Sequence, residues 1–236
     1  EIVPLTAALT PQKHILLISG PNAGGKSVCL KTFGLLQYMF QWGMLIPTSE
    51  VSEMMVFDRI MVDIGDDQSI DNDLSTYSSF LVNMKDMLAK ADSKTLVLID
   101  EFGSGTEPAA GGAIAEAILS EMDKRGVYGV ITTHYTNLKL YASNETGVMN
   151  GAMMFDVKNI APMFQLEMGL PGNSFAFELA RKMGLPENII KDAESRAGEE
   201  FVGIERNLRK IARNRKALDE KLERIKHTDK TLENIT

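Results

Sequence analysis

Apolar residues gather along this chain in uninterrupted runs of strand length, separated by stretches with helical spacing. Residues 14–19, 95–101 and 127–131 are apolar almost without a break, the pattern of strands buried on both faces of a sheet. Between them, residues 28–40 carry apolar side chains at helical spacing with no proline, and 80–91 repeat the pattern with Leu81, Met84, Met87 and Leu88. An alanine-rich helix is predicted over 109–124, with Pro108 at a first helical position and Gly126 as its stop. Strand, helix and strand in alternation predict an α/β fold built on a mainly parallel sheet. Residues 149–157 and 162–168 read as an antiparallel pair, joined near Lys158 and Asn159, that extends the sheet. Two further strands are expected: a short buried one at 44–46, before Pro47, and a longer one over 54–64 anchored by Phe57, Ile60 and Val62. The polar, acidic stretch 65–74 predicts an exposed loop.

The C-terminal third changes character. A short helix through Phe177 and Leu179 to Met183 is broken at Gly184-Leu185-Pro186, and a second begins near Glu187, resembling a helix-turn-helix. Glu178, Glu187, Asp192 and Glu194 give this unit little positive field, which favours helix packing or dimer contact over reading DNA. Beyond it Ile204, Leu208, Ile211, Arg215, Leu218, Leu222, Ile225, Asp229 and Leu232 alternate spacings of four and three, with seven of the nine apolar. That is a coiled-coil seam, the bland alternative being a long solvated helix leaning on the domain. The organisation expected is therefore a core over 1–168, a helical unit over 169–200 and a coiled-coil segment over 201–236.

The chemistry sits at the ends of the buried strands. Gly20-Pro21-Asn22-Ala23-Gly24-Gly25-Lys26-Ser27 follows the first and opens the first helix, matching G-x-x-x-x-G-K-[ST] at every constrained position. Glycines allow successive backbone N–H groups to face a triphosphate at a helix N-terminus, where Val28 completes the first turn. Lys26 is placed to reach the β and γ phosphates, and Ser27 to offer its hydroxyl to Mg²⁺. Without those flanks the loop would read as a glycine-rich turn beside a surface lysine. The second buried strand ends in Asp100-Glu101. Asp100 is expected to hold the Mg²⁺ shell and Glu101 to orient and partly deprotonate a water, the bland alternative being two helix caps. The third ends in Thr132-Thr133-His134-Tyr135, where His134 is read as a γ-phosphate sensor. Serines in Ser75-Thr76-Tyr77-Ser78-Ser79 read by themselves as caps of the helix that follows.

Composition narrows the class. The chain has 236 residues, 44% of them hydrophobic, and a formal net charge of −7. Residues 201–236 hold ten Lys/Arg against six Asp/Glu, a net of +4, which leaves −11 for residues 1–200. An acidic body is a poor nucleic-acid surface, so any grip on DNA is expected elsewhere. No run reaches the roughly 18 apolar residues of a membrane span. The single cysteine, Cys29, is read as a small buried hydrophobe in a reducing, cytoplasmic setting. The chain opens on Glu1 rather than methionine and is expected to be a segment of a longer protein.

The phosphate loop, the strand to Asp100-Glu101, Gly103-Ser104-Gly105-Thr106 and Thr132-Thr133-His134-Tyr135, in this order and spacing, resemble the ATPase domain of the MutS family over residues 1–195. The resemblance implies a P-loop NTPase of the ABC type, in which two domains pair head to tail with ATP between them. It gives Ser78 a second reading, as a signature serine presented in trans to the partner's γ-phosphate. Glu107-Pro108 and the segment from Asp67-Gln68-Ser69 to Ser79 resemble the second bacterial branch, whereas the mismatch-repair branch typically has arginine where Ser104 stands. That branch is associated with suppressing homologous recombination and with rescue of collided ribosomes, and carries a C-terminal Smr nuclease module not visible here. The expectation is an Mg²⁺-dependent ATPase acting as a homodimer through the nucleotide site, with DNA or the ribosome engaged through other regions. The rival is a nucleotide-gated assembly module in which turnover is incidental. A weaker one is an ABC ATPase of the chromosome-organising type, for which the long coiled-coil insertion is missing.

Overall fold

The computed structural model describes residues 2–65, 73–144, 146–156 and 159–197, and six helical positions beyond them, 210, 214, 217, 221, 224 and 225. Most of the heptad seam, with Ile204, Leu208, Ile211, Arg215, Leu218, Leu222, Asp229 and Leu232, lies outside the described residues, as do Asp67, Gln68 and Ser69.

One six-stranded sheet organises the chain, in the order β2 (Arg59–Asp63), β3 (Thr95–Ile99), β4 (Tyr128–Thr132), β1 (Ile15–Ser19), β5 (Val148–Asp156), β6 (Ala161–Met168). Neighbours from β2 to β5 are parallel, and β5 and β6 are antiparallel, with an irregular register between Met153 and Phe155. The mainly parallel sheet with its antiparallel extension thus stands as the hydrophobic pattern predicts.

Side-chain alternation divides the core into two layers. Ile15, Leu17, Val97, Ile99 and Ile131 face one side, where Met84 and Met87 of α2 (Asp73–Lys90) and Leu119 and Met122 of α3 (Pro108–Lys124) cover them. Leu138 and Ala142 of α4 (Thr136–Ser143) complete that layer. Leu16, Ile18, Leu96, Leu98 and Val130 face the other side, under Cys29 and Leu30 of α1 (Lys26–Gln41) and the lead-in residues Leu5, Ala7 and Leu9. Cys29 is buried as expected, and burial pushes its thiol up to about 11. No helix among the described residues is long and apolar enough to cross a membrane.

Four expectations need correction. Residues 44–46 form no strand, and Leu45 is 98% exposed. The backbone there closes α1: Gly43 N donates to Phe40 O and Met44 N to Met39 O, with Gly43 at φ 71, so these amides answer the helix's last carbonyls rather than a neighbouring strand. The strand expected over 54–64 shrinks to Arg59–Asp63 at the sheet edge, so Val62 is exposed while Phe57, just ahead of it, is buried. Helix α2 starts at Asp73, which puts Ser78 and Ser79 inside it and exposed, not at its cap. Helix α4, absent from the sequence reading, follows directly on His134-Tyr135. The two short helices are α5 (Ala176–Lys182) and α6 (Glu187–Ala197), tied by Arg181 to Glu187 and Glu194.

Candidate functional site

Strands β1, β3 and β4 are parallel neighbours, so the chain leaves all three at the same edge of the sheet. That edge gathers the phosphate-loop match, Asp100-Glu101 and His134, in keeping with the rule that ligands sit outside the carboxyl ends of parallel strands.

The loop leaves β1 through Gly20 at φ 139, makes a 3₁₀ turn over Asn22–Gly24 and enters α1 through Gly25 at φ 89. A side chain at Gly25 would press on Phe164, and one at Gly20 would press on the backbone and Cβ of Met153. The cradle is therefore closed from below by the β5–β6 pair. Helix α1 has no side-chain cap and no acidic residue in its first turn. Helix α3 shows the contrast, because Glu107 accepts from Ala109 N at 3.0 Å and Ala110 N at 2.8 Å. The unanswered amides of α1, with the positive end of a 16-residue helix dipole, form a setting suited to an anion.

Lys26 is almost fully buried, 4% exposed. Its ammonium has three donors, and the loop supplies three acceptors: Gly20 O and Pro21 O at 3.1 Å and Asn22 Oδ1 at 3.3 Å. Burial lowers its pKa, while the charges of Glu101 and Asp100 oppose the shift, which places both carboxylates within electrostatic reach of the amine. His134 is also held below its ordinary value, first by desolvation, then by the positive charges of Lys26 and Lys139, against Asp100. Although its surface is largely open, the imidazole is therefore neutral at pH 7 and able to donate one hydrogen bond.

Asp100 accepts at Oδ1 from the hydroxyl of Thr132 and from Glu101 N at 3.2 Å. Glu101 itself is exposed and stands in the left-handed region at φ 49, which is unfavourable for a residue with a Cβ. No group of three or more His, Cys, Asp or Glu with the makings of a metal site exists among the described residues. The donor set fits Mg²⁺ held in the other common way, by one carboxylate, Asp100, one hydroxyl, Ser27, and phosphate oxygens.

Lys26, Asp100, Glu101 and His134 are thus joined by electrostatics and hydrogen bonds, with Ser27 and Val28 opening α1 beside them. Ser78 is not joined to them. It is exposed on α2, a helix that packs on α3 and β2 among others. The supports of these residues are less visible in the sequence. Buried Thr132 holds Asp100 and Glu101, and Tyr135 donates from its hydroxyl to Gly103 O at 2.9 Å. Gly172 N donates to the buried hydroxyl of Ser19 at 2.8 Å, while the buried Lys139 donates to Gly172 O at 3.2 Å. Phe155 and Phe175 stack at 6.0 Å near the loop's floor. Thr132 and Tyr135 lay within a motif already noticed; Lys139 and Gly172 gave no local signal.

Residues 16–199 match the family model described as MutS domain V. A protein named Endonuclease MutS2 from Halalkalibacterium halodurans is 47% identical over 205 residues, 87% of this chain. Proteins of the same name from Exiguobacterium sibiricum and Staphylococcus carnosus are 46% and 42% identical over 87% and 95% of this chain. The chain spans about a quarter of their length, 26% of the first two and 30% of the third. With a family model matched over most of its residues and these three relatives all named Endonuclease MutS2, this chain belongs to the MutS family, as a domain V of the MutS2 branch.

Proposed function

We propose that this chain is the Mg²⁺-dependent ATP-binding and hydrolysing domain of its parent protein, a P-loop domain of the ABC type that works as a head-to-tail homodimer. The observation that carries the reading is the meeting of Lys26, Asp100, Glu101 and His134 around the uncapped start of α1, at one edge of a parallel sheet.

In this reading the loop from Gly20 to Ser27 wraps the β and γ phosphates, and Lys26 exchanges loop acceptors for phosphate oxygens. Ser27 and Asp100 would hold Mg²⁺, whose charge would offset that of the phosphates. Glu101 receives a proton from the attacking water, and neutral His134 donates to the γ-phosphate. The exposure of Ser78 supports its role in trans, since a residue meant for a partner's nucleotide has to face outward. The relatives are named endonucleases, whereas the chemistry proposed for this segment is phosphoryl transfer to water. In the parent protein, closing and opening of the ATPase pair would be coupled to DNA or the ribosome held by other regions.

The test is ATP binding and turnover by the chain, beside Lys26→Ala and Glu101→Gln. Removal of a charge-stabilising group costs about 10²–10³ in kcat, and removal of a general base about 10²–10⁴. Glu101→Gln is expected to bind ATP yet scarcely hydrolyse it, and to sediment as a dimer with ATP when Ser78→Arg does not. Unchanged turnover in Glu101→Gln refutes the assignment of the base. A parent protein that keeps its nucleic-acid function with Glu101→Gln would instead make binding, not turnover, the switch.

A further inference from the structure

Thr132 is the last residue of β4, fully buried, and the chain leaving β3 is wrapped around it. Its carbonyl accepts from Phe102 N at 2.9 Å, and its Oγ1 accepts from Glu101 N at 2.8 Å. An amide can only donate, so the hydroxyl proton of Thr132 must point the other way, to Asp100 Oδ1, with which it makes a short hydrogen bond. This polarity fixes three things together. Asp100 Oδ1 is held as the acceptor of both the Thr132 hydroxyl and the Glu101 amide, so a ligand would be met through Oδ2. The amides of Glu101 and Phe102 are both anchored on one residue of β4, so the turn at φ 49 that aims the Glu101 side chain has an external support.

We propose that Thr132 is a positioning residue of the nucleotide site, whose hydroxyl orients the Asp100 carboxylate toward Mg²⁺ and holds the Glu101 backbone in the conformation that presents its carboxylate. The proposal rests on the ATP reading above. Neither valine nor alanine can supply the donor and acceptor together, and serine can. The partners are 32 and 31 residues away in sequence, which ties the function to β4 lying beside β3.

The experiment compares wild type, Thr132→Val, Thr132→Ser and Thr132→Ala in two readouts. The first is steady-state ATP turnover. The second, independent of turnover, is the affinity for a fluorescent non-hydrolysable ATP analogue, with Mg²⁺ and with EDTA. Groups that orient a metal ligand typically contribute about 10–100-fold to metal affinity or activity, and Thr132→Val is expected to lose that factor in kcat. It should also lose much of the Mg²⁺-dependent gain in affinity, with binding in EDTA unchanged. Thr132→Ser should restore both, and Thr132→Val should add no further loss in an Asp100→Asn background. Melting curves confirm that each variant is folded, and Thr132→Ala serves if the valine does not fold. The proposal is overturned if the valine and alanine variants keep the wild-type Mg²⁺ response and turnover, or if serine is as impaired as valine. If Lys26→Ala binds the analogue as wild type does, or wild type does not bind it, the ATP reading falls and takes this one with it. Lost binding in Lys26→Ala beside an unaffected Thr132→Val sinks the Thr132 proposal alone.

Discussion

Gly172→Ala is the substitution with the least room for escape. A Cβ there would lie 2.2 Å from Ser19 O, 2.3 Å from Ser19 C and 2.6 Å from Gly20 N, all backbone atoms at the end of β1. Ordinary contact requires the two segments to part by about 1 Å, since close-packed interiors have no slack to absorb the overlap. That movement breaks the bond from Gly172 N to Ser19 Oγ, now 2.8 Å, and weakens the one from Lys139 Nζ to Gly172 O, now 3.2 Å. Overpacking costs about 1–3 kcal/mol and each hydrogen bond about 0.5–1.5 kcal/mol, so the change should cost about 4 kcal/mol. Against a total stability of about 5–15 kcal/mol this is a large fraction. For a chain of this size it corresponds to a fall in Tm of about 8–16 °C, read by calorimetry or circular dichroism. Because Ser19 and Gly20 carry the phosphate loop, affinity for an ATP analogue should fall as well. A Tm within about 2 °C of wild type would refute the packing argument, since it would mean that the β6–α5 connection is not held against β1.

Two further outcomes follow from electrostatics. The pKa of His134 is lowered from 6.5, so the folded state binds its proton less readily than the unfolded chain. The penalty is present in acid and is relieved as pH rises toward 6.5; a His134→Asn variant should therefore gain on wild type below that pH in urea melts, and a constant difference across pH would exclude the effect. Glu107 caps α3 as a carboxylate, with its pKa lowered from 4.5 by hydrogen bonds from the amides of Ala109 and then Ala110. Glu107→Ala should lower Tm at neutral pH, with the difference fading as pH falls below 4.5 through the lowered pKa; a difference that persists in acid would show that the cap acts through packing alone.

The strands that build the site were legible because burial on both faces leaves a signature in composition alone. β1, β3 and β4 each appear as an unbroken apolar run, and fully buried parallel strands have no polar face to interrupt the pattern. Several elements outside these central strands were not legible in the same way. Met44-Leu45 is as apolar as a strand, yet the Met44 amide finishes α1, and hydropathy does not record which carbonyl an amide will meet. Val62 keeps the strand alternation but falls on an edge strand, where one side of the sequence pattern has nothing to cover it. Helix α4 is only eight residues long, and its apolar residues Leu138, Leu140, Tyr141 and Ala142 run almost together, with Leu140 exposed, so no helical period shows in the sequence.

The same distinction separates the site's motifs from their supports. A phosphate loop is recognisable because its function depends on residues a few positions apart in one turn, and local spacing survives in sequence whatever the rest of the chain does. Thr132 and Gly172 act across the fold, on partners 32 and 153 residues away. Taken alone they are ordinary, a threonine closing a strand and a glycine after a proline in a connection. What makes them consequential is adjacency: β4 inserted between β3 and β1, and the β6–α5 connection passing over the end of β1. Asp100 and Glu101 have the right chemistry in any fold that carries them at a strand end, but their aim depends on a buried hydroxyl from the neighbouring strand. Lys26 likewise has its three acceptors only because Gly20 and Pro21 turn their carbonyls inward as β1 ends. Motif residues therefore announce the reaction class, whereas efficiency at the site is set by residues whose identity becomes informative only once the sheet order is known.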